Sequence, residues 1–353
     1  MGEIFYRTYP KKLNKDESNL GFIDIYDLDK RFIIGKILGV DYIIIEDIFK
    51  IDGDFLDFSQ INENLGHSQD FENQILKAHD LSLEIFLRLD LSKIKKISKN
   101  TIHSILNFWI NKGIYGFILD DFSNSQKIFE ENISSLKNIY KDVKFILNTK
   151  KEKRYDIFDG YVDLSFEKNY KNINFRKYIL GENKNDFSFA LNKDFGFFCQ
   201  DFLDFRHFYI NCSKLMAIIS IIRSDNIYIK EGEEILYFVK EIDFSTRKEI
   251  FDFYRKIFLI RYDYIDILKE EYFPLNFKNE DILSYFYYKD GRALVILNNL
   301  SQKDIFINLP EFFDSKRANF LSGNISKREM FKSISLRAYE SIVFTCPIKK
   351  YKI

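Results

Sequence analysis

The sequence predicts an α/β fold in which a (β/α)8 TIM barrel is followed by a small antiparallel β domain. In residues 1–264, short apolar runs of strand length alternate with longer segments whose apolar residues have helical spacing. From residue 265 to residue 353 the strand-like segments follow one another directly. We therefore predict a barrel domain over 1–264 and an all-β domain over 265–353.

Eight strand-like runs precede residue 265, and helical patterns separate most of them. The strands are predicted at residues 4–9, 38–50, 83–93, 114–121, 143–149, 160–166, 196–201 and 227–235. The helices are predicted at residues 23–38, 70–79, 100–112, 125–141, 175–180, 208–223 and 245–262. In the second domain, the Asp290-Gly291 pair predicts a hairpin turn within residues 285–298.

Composition excludes several classes of protein. A hydrophobic fraction of 46% with 30% charged residues is typical of a folded, soluble chain, and 53 basic against 53 acidic residues argue against nucleic-acid binding. No apolar run approaches the length of a membrane span and no signal peptide is visible, so a cytoplasmic protein without an anchor is expected. Three scattered cysteines predict neither a disulfide framework nor a zinc site. We expect no metal and no cofactor.

The fourth predicted strand carries the first candidate site. A helix ends at Lys112-Gly113, and a short apolar run then finishes on Asp120 and Asp121. In a barrel, acids at the carboxyl end of a strand face the side where active sites are built. The alternative is that both residues begin a loop and cap the next helix.

This stretch resembles the second sequence region of the α-amylase family of glycoside hydrolases (family 13), especially its oligo-1,6-glucosidase and α-glucosidase branch. The family pattern there is Phe-Trp, a few residues, and then Gly-Val-Asp-Gly-Phe-Arg-Leu-Asp. The chain has Phe108-Trp109 and, after Gly113, a run that ends at Asp120. The resemblance implies that Asp120 occupies the position of the catalytic nucleophile. The family arginine two residues earlier is replaced by Ile118.

The resemblance extends over the whole chain in the correct order, but other site positions differ. The family's general acid/base Glu corresponds to Asn148, and its Gly-Tyr-Asp motif keeps Asp54 while the stacking Tyr becomes Gly53. Its Asn-His-Asp motif keeps Asp201, whereas the His becomes Gln200. The resemblance implies that Asp54 and Asp201 contact a sugar, with Gln200 and Gly53 at substrate-binding positions.

The third strand departs from the family most strongly. The family ends this strand with Asp, three residues and Asn-His, and the corresponding residues are Arg88, Ser92 and Lys93. Only residues 94–99 then precede the next predicted helix, where the family inserts its B domain. The resemblance therefore implies a barrel without a B domain and a shallow sugar pocket.

The chemistry of these positions argues against efficient catalysis. A retaining glycosidase needs a nucleophile and a proton donor, and Asn148 has no proton to give near neutral pH. Ile118 lies on the same strand face as Asp120 but cannot orient it as an arginine would. Asp121 faces away from Asp120 by strand alternation, so Asp163 and Glu231 are the better candidates for a relocated acid, although a structural role is favoured for each.

We therefore expect an α-glucosidase-like protein of carbohydrate metabolism that is catalytically impaired and at most binds a sugar, such as an α-glucoside, or a protein partner. The alternative is an active glycosidase with Asp120 as nucleophile and a relocated acid. Asp54, Asp120 and Asp201 are predicted to converge at the barrel mouth. Without an Arg or Lys nearby, such clustered acids would have raised pKa values.

Overall fold

A computed structural model describes residues 3–10, 22–94, 98–120, 125–149, 156–162, 209–223, 227–236, 242–275, 277–327 and 329–349. The first nine strands are β1 (Ile4–Thr8), β2 (Tyr42–Ile45), β3 (Phe49–Asp52), β4 (Phe55–Ile61), β5 (Glu84–Leu89), β6 (Gly116–Asp120), β7 (Lys144–Asn148), β8 (Gly160–Val162) and β9 (Ile227–Lys230). The helices are α1 (Leu28–Leu38), α2 (Ser68–Asp80), α3 (Lys99–Asn111), α4 (Ser125–Ile139), α5 (Tyr209–Arg223), α6 (Phe244–Asp263) and α7 (Ile265–Leu268).

Seven of these strands form one parallel sheet in the order β8-β7-β6-β5-β2-β1-β9. The sheet curls and carries helices between its strands, so the fold is a (β/α)8-like barrel, as predicted. The predicted neighbours β7 and β8 are adjacent and parallel, with Leu147 opposite Tyr161. The strand predicted at 196–201 and the helix predicted at 175–180 lie outside the described residues.

The interior of the curled sheet is filled by one apolar layer. Phe5, Ile44, Phe86, Ile118, Ile146 and Tyr228 form this layer, and each is almost completely buried. Six of the seven strands contribute one residue each to this layer. Gly116 makes room for this packing, because a side chain there would collide with the ring of Phe86. The apolar layer is therefore a packed core, and its upper face consists of apolar side chains.

A hairpin that the sequence analysis missed follows β2. Strands β3 and β4 are antiparallel, and Gly53 opens their turn with φ +63°. A positive φ at the first central residue is typical of a type II′ turn, where glycine is favoured. The hairpin packs on helix α3, since the indole nitrogen of Trp109 donates a hydrogen bond of 2.6 Å to the carbonyl of Phe58. A glycine between two aromatic-rich runs was the signal for this hairpin.

The connection between β5 and α3 is short, as expected. A single 3-10 turn (Leu91–Lys93) lies between Leu89 and the start of α3 at Lys99. Ser98 caps α3, because its side chain accepts a hydrogen bond from the backbone N–H of Thr101. This connection leaves no room for a B domain.

The C-terminal part is antiparallel. Its strands are β10 (Tyr272–Pro274), β11 (Ile282–Lys289), β12 (Arg292–Asn299), β13 (Ile305–Asn308), β14 (Asn319–Gly323), β15 (Ser333–Leu336) and β16 (Ser341–Pro347). Five of them form a sheet in the order β10-β11-β12-β16-β14, and β13 pairs with β15. The predicted Asp290-Gly291 turn is confirmed, with both residues at positive φ. A turn at Tyr339 (φ +53°) separates β15 from β16.

Candidate active site at the strand ends

A layer of polar side chains lies directly above the apolar layer of the barrel. Its members are Arg7, Glu46, Arg88, Asp120 and Asn148, which follow Phe5, Ile44, Phe86, Ile118 and Ile146 by two residues each. Because side chains of a strand alternate between two faces, residues two apart share a face. Five strands therefore deliver one polar residue each to the carboxyl end of the barrel, and we call this set the polar layer.

Asp120 is held from two neighbouring strands. Arg88 donates from Nε to Oδ1 at 3.1 Å and from Nη2 to Oδ2 at 3.0 Å, which makes a two-point ion pair. From the other side, the Nδ2 atom of Asn148 donates to Oδ1 at 2.6 Å. Both carboxylate oxygens are thus engaged. Asn148 lies directly opposite Asp120 in the strand register, so the predicted nucleophile position and the lost acid position do meet.

The ion pair continues across the mouth to Glu46 and Arg7. The Nη1 atom of Arg88 lies 2.9 Å from Glu46 Oε2, and Nη2 of Arg7 lies 2.7 Å from Glu46 Oε1. Burial works against the charge of Glu46, but the two guanidinium groups outweigh it and lower its pKa. Burial likewise opposes the charge of Arg88, whose pKa is nevertheless raised by Asp120 and Glu46. The result is a row of alternating charges over four strands.

The guanidinium that pairs with Asp120 comes from a neighbouring strand. Ile118 belongs to the apolar layer and carries no charge, but Arg88 stands directly opposite it on β5 and supplies a guanidinium to Asp120. The acids at the mouth were expected to cluster without a nearby Arg or Lys, and Asp120 does not meet that condition because Arg88 pairs with it. Sequence reasoning missed the pairing because it compared positions along one strand, whereas the contact runs between strands.

Glu231, a candidate for a relocated acid, is occupied elsewhere. It is buried after β9, where Nη2 of Arg31 lies 2.8 Å from its Oε1 and Thr8 Oγ1 donates to its Oε2 at 2.6 Å. A buried ion pair of this kind ties α1 to the strand ends and leaves no oxygen for a substrate. The other candidate, Asp163, lies outside the described residues.

Two more glutamates are buried beside Glu231. Tyr6 donates from its hydroxyl to Glu234 Oε1 at 3.0 Å, and the backbone N–H of Gly232 donates to Oε2 at 2.8 Å. Burial raises the pKa of Glu234 to about 7, and it raises that of Glu233 well above its ordinary value. Both carboxyl groups are nearly inaccessible, at 2% and 4% exposure, so they act on stability rather than on a ligand.

Asp47 is a carboxyl group at the mouth that sequence reasoning did not select. It follows Glu46 at the end of β2 with φ +58°, a conformation that non-glycine residues rarely adopt. Desolvation by the surrounding protein raises the pKa of Asp47, and the charge of Glu46 raises it further. The charges of Arg88 and Lys93 oppose this rise. The signal for this residue was an acid at the position where the resembled family has proline.

The remaining predicted residues are placed as follows. Gly53 and Asp54 form the exposed turn of the β3–β4 hairpin. No hydrogen bond or ion pair joins Asp54 to Asp120 in the described ranges, so the predicted convergence of these two acids stays a prediction. Gln200 and Asp201 lie outside the described residues. Among the described residues, no three His, Cys, Asp or Glu side chains are grouped to hold a metal ion, and no helix is long and apolar enough to span a membrane.

The fold of this chain is similar to that of several solved structures. Trehalose-6-phosphate hydrolase from Bacillus licheniformis superposes with a TM-score of 0.72 at 14% identity, over 98% of this chain and 99% of that one. The α-amylase from Geobacillus thermoleovorans, solved with acarbose, gives a TM-score of 0.73 at 16% identity, with 99% of each chain covered.

A third solved structure has a similar fold. An isomaltulose synthase variant from Erwinia rhapontici, solved with sucrose, gives a TM-score of 0.75 at 13% identity over 98% of each chain. The fold of this chain is thus the barrel fold that these solved structures share. More particularly, it is the fold of the α-amylase family. No protein-family model and no curated protein sequence matches the chain.

Proposed function

We propose that this protein binds an α-glucoside or a related oligosaccharide at the barrel mouth without turning it over at an enzymatic rate. The observation that carries the proposal is the pair formed by Asp120 and Asn148. Asn148 uses its amide to donate a hydrogen bond to Asp120, where a glycosidase would hold a carboxylic acid. The departing oxygen of a sugar would then leave as an unprotonated alkoxide. Loss of the acid alone costs a factor of about 10²–10⁴ in rate.

The charges around Asp120 favour the same proposal. Arg88 supplies the guanidinium that Ile118 cannot, so Asp120 is held and oriented, and what its described partners lack is a proton donor. Glu46 cannot replace the acid, because two arginines keep its pKa low and it is only 4% exposed. A sugar is the supported ligand because structural neighbours include proteins solved with acarbose and sucrose.

The test is an assay of purified protein with maltose, isomaltose, trehalose and an activated aryl α-glucoside. Asp120→Ala and Asn148→Glu are made in parallel, and binding of each sugar is measured by calorimetry. We expect sugar binding without turnover of the disaccharides, and a gain of activity on restoring the acid in Asn148→Glu. Disaccharide turnover at about 1–10³ per second that Asp120→Ala abolishes would overturn the proposal. Absence of any sugar binding would also overturn the proposal, because the protein would then not bind a sugar at the barrel mouth.

A second candidate function is hydrolysis with Asp120 as nucleophile and Asp47 as proton donor. It is favoured by the position of Asp47, which follows Glu46 at the end of β2 while Glu46 pairs with the Arg88 that orients Asp120, and the direction of its pKa agrees with a proton donor. Asp47→Asn separates the two candidates. It would remove disaccharide turnover if Asp47 were the acid, and it would leave an aryl glucoside, whose leaving group needs little protonation, largely unaffected.

A further inference from the structure

A cavity of about 430 Å³ lies where the barrel meets the C-terminal sheet, away from the polar layer. Helices α5 and α6 form one side, and β14 with the loop after it forms the other. The side chains that matter for its chemistry are Lys214, Glu249, Phe253, Lys256, Phe320 and Lys327. The cavity therefore combines ammonium groups from both parts of the chain with an aromatic wall.

The described charges in this cavity do not balance. Lys214 is buried, forms an ion pair with Glu249 and lies 5.3 Å from the ring centroid of Phe253. The second acid of the lining, Asp252, faces Lys248 on the exposed surface of α6 at 3.7 Å. Neither Lys256 nor Lys327 has an ion-pair partner among the described residues. Two positive charges are left over, one from each side.

The positive charge of Lys327 acts on Lys256. Partial burial lowers the pKa of Lys256, and the charge of Lys327 lowers it further. Like charges that line one cavity raise the free energy of the empty site, and a dianion in the cavity would reduce that repulsion. A phosphate group alone would fill only part of the cavity, whereas an organic group attached to it would contact Phe253 and Phe320.

The geometry points to a binding site for a phosphate-bearing small molecule in this cavity, with Lys256 and Lys327 as its charge partners. The proposal is independent of the function proposed for the barrel mouth, since it involves no residue of the polar layer. The ligand would bridge the barrel and the C-terminal sheet and thereby stabilise their contact.

Calorimetry with glucose 6-phosphate, inorganic phosphate and glucose tests the site on the full chain. The variants are Lys256→Met, Lys327→Met and the double variant. Arg255→Met is the matched control, because Arg255 lies on the same helix, is exposed and is absent from the cavity lining. We expect both phosphate compounds to bind, each single variant to weaken binding about tenfold, and the double variant to abolish it. The control should change the affinity less than about twofold.

The outcomes separate the possible ligands. Tighter binding of glucose 6-phosphate than of phosphate would assign the aromatic wall to the organic group, and equal binding would assign inorganic phosphate as the ligand. Binding that the double variant leaves intact, or no binding of either phosphate compound up to about 10 mM, would overturn the proposal. Because both lysines are exposed, their substitution should not prevent folding.

Discussion

The guanidinium of Arg88 and the carboxylate of Asp120 meet at two points, with N···O distances of 3.1 and 3.0 Å, although the residues are 32 positions apart in the chain. They belong to adjacent strands β5 and β6, and each follows a residue of the apolar layer by two positions. Strand register rather than loop conformation fixes their contact. For that reason the ion pair should be a rigid part of the barrel and should contribute to its stability.

Arg88→Met is expected to lower the free energy of unfolding by about 3–5 kcal/mol, because it leaves Glu46 with one guanidinium and Asp120 with only Asn148. Urea denaturation followed by circular dichroism measures the loss. Arg317→Met is the control, since Arg317 is exposed and pairs with Asp314 on the surface. A loss for Arg88→Met no larger than for the control would show that the polar layer does not need this charge.

The buried carboxyl of Glu234 predicts a pH dependence of stability. Its pKa is about 7 in the folded chain against an ordinary value of 4.5. The stabilisation by its neutral form is complete below pH 4.5 and is lost as the pH rises from 4.5 to about 7. The shift amounts to about 3 kcal/mol. Glu234→Gln stays neutral at all pH values, so its stability relative to the parent chain should increase by about this amount as the pH rises from 4.5 to above 7.

Urea midpoints across that pH range measure the difference between the two proteins. Glu311→Gln serves as the control, because Glu311 is an exposed surface acid that pairs with Lys332. If the parent chain and Glu234→Gln kept the same stability difference at every pH, Glu234 would not be the titrating group.

Trp109 predicts the strength of the contact between the β3–β4 hairpin and helix α3. Trp109→Phe keeps much of the apolar contact with Phe49 and Phe71 but removes the donor to the Phe58 carbonyl. A buried carbonyl without its partner costs about 1–3 kcal/mol. Hydrogen exchange should also become faster in the hairpin. A variant as stable as the parent chain would mean that water replaces the indole.

Trp109→Ala provides the comparison for the lost volume. It should cost about 3–5 kcal/mol because it leaves a cavity between the hairpin and the helix. The exposed aromatic residue Phe306, at 81% exposure, gives the control Phe306→Ala, for which little change is expected.

Asn324 predicts how firmly the barrel is joined to the C-terminal sheet. Its Nδ2 atom donates to the carbonyls of Asn211 on α5 and Tyr339, at 2.7 and 2.6 Å, and its Oδ1 atom accepts from the N–H of Ser341 at 2.8 Å. Asn324→Ala leaves these buried backbone groups without partners, at about 1–3 kcal/mol each. Thermal unfolding should shift to lower temperature, and proteolysis between the two parts should become faster. Unchanged unfolding and proteolysis would contradict this role.

The sequence by itself determined most of the strands and helices that the structure describes, the short connection after β5 and the antiparallel C-terminal part, but not the β3–β4 hairpin. These features depend on local periodicity, on turn residues such as Asp290-Gly291 and on the length of a connection, all of which are written along the chain. The position of Asp120 at a strand end was equally local, because the apolar run of β6 stops there.

Tertiary structure decided what surrounds Asp120. The sequence shows that Ile118 stands where the resembled family has an arginine. Only the pairing of β5 with β6 places Arg88 against Asp120. The same holds for Glu231, whose partners Arg31 and Thr8 are 200 and 223 positions away in the chain. An ion pair depends on distance in space, and strand register and barrel closure set that distance. The residue types are therefore readable from the chain, whereas their electrostatic partners follow from the packing of its strands.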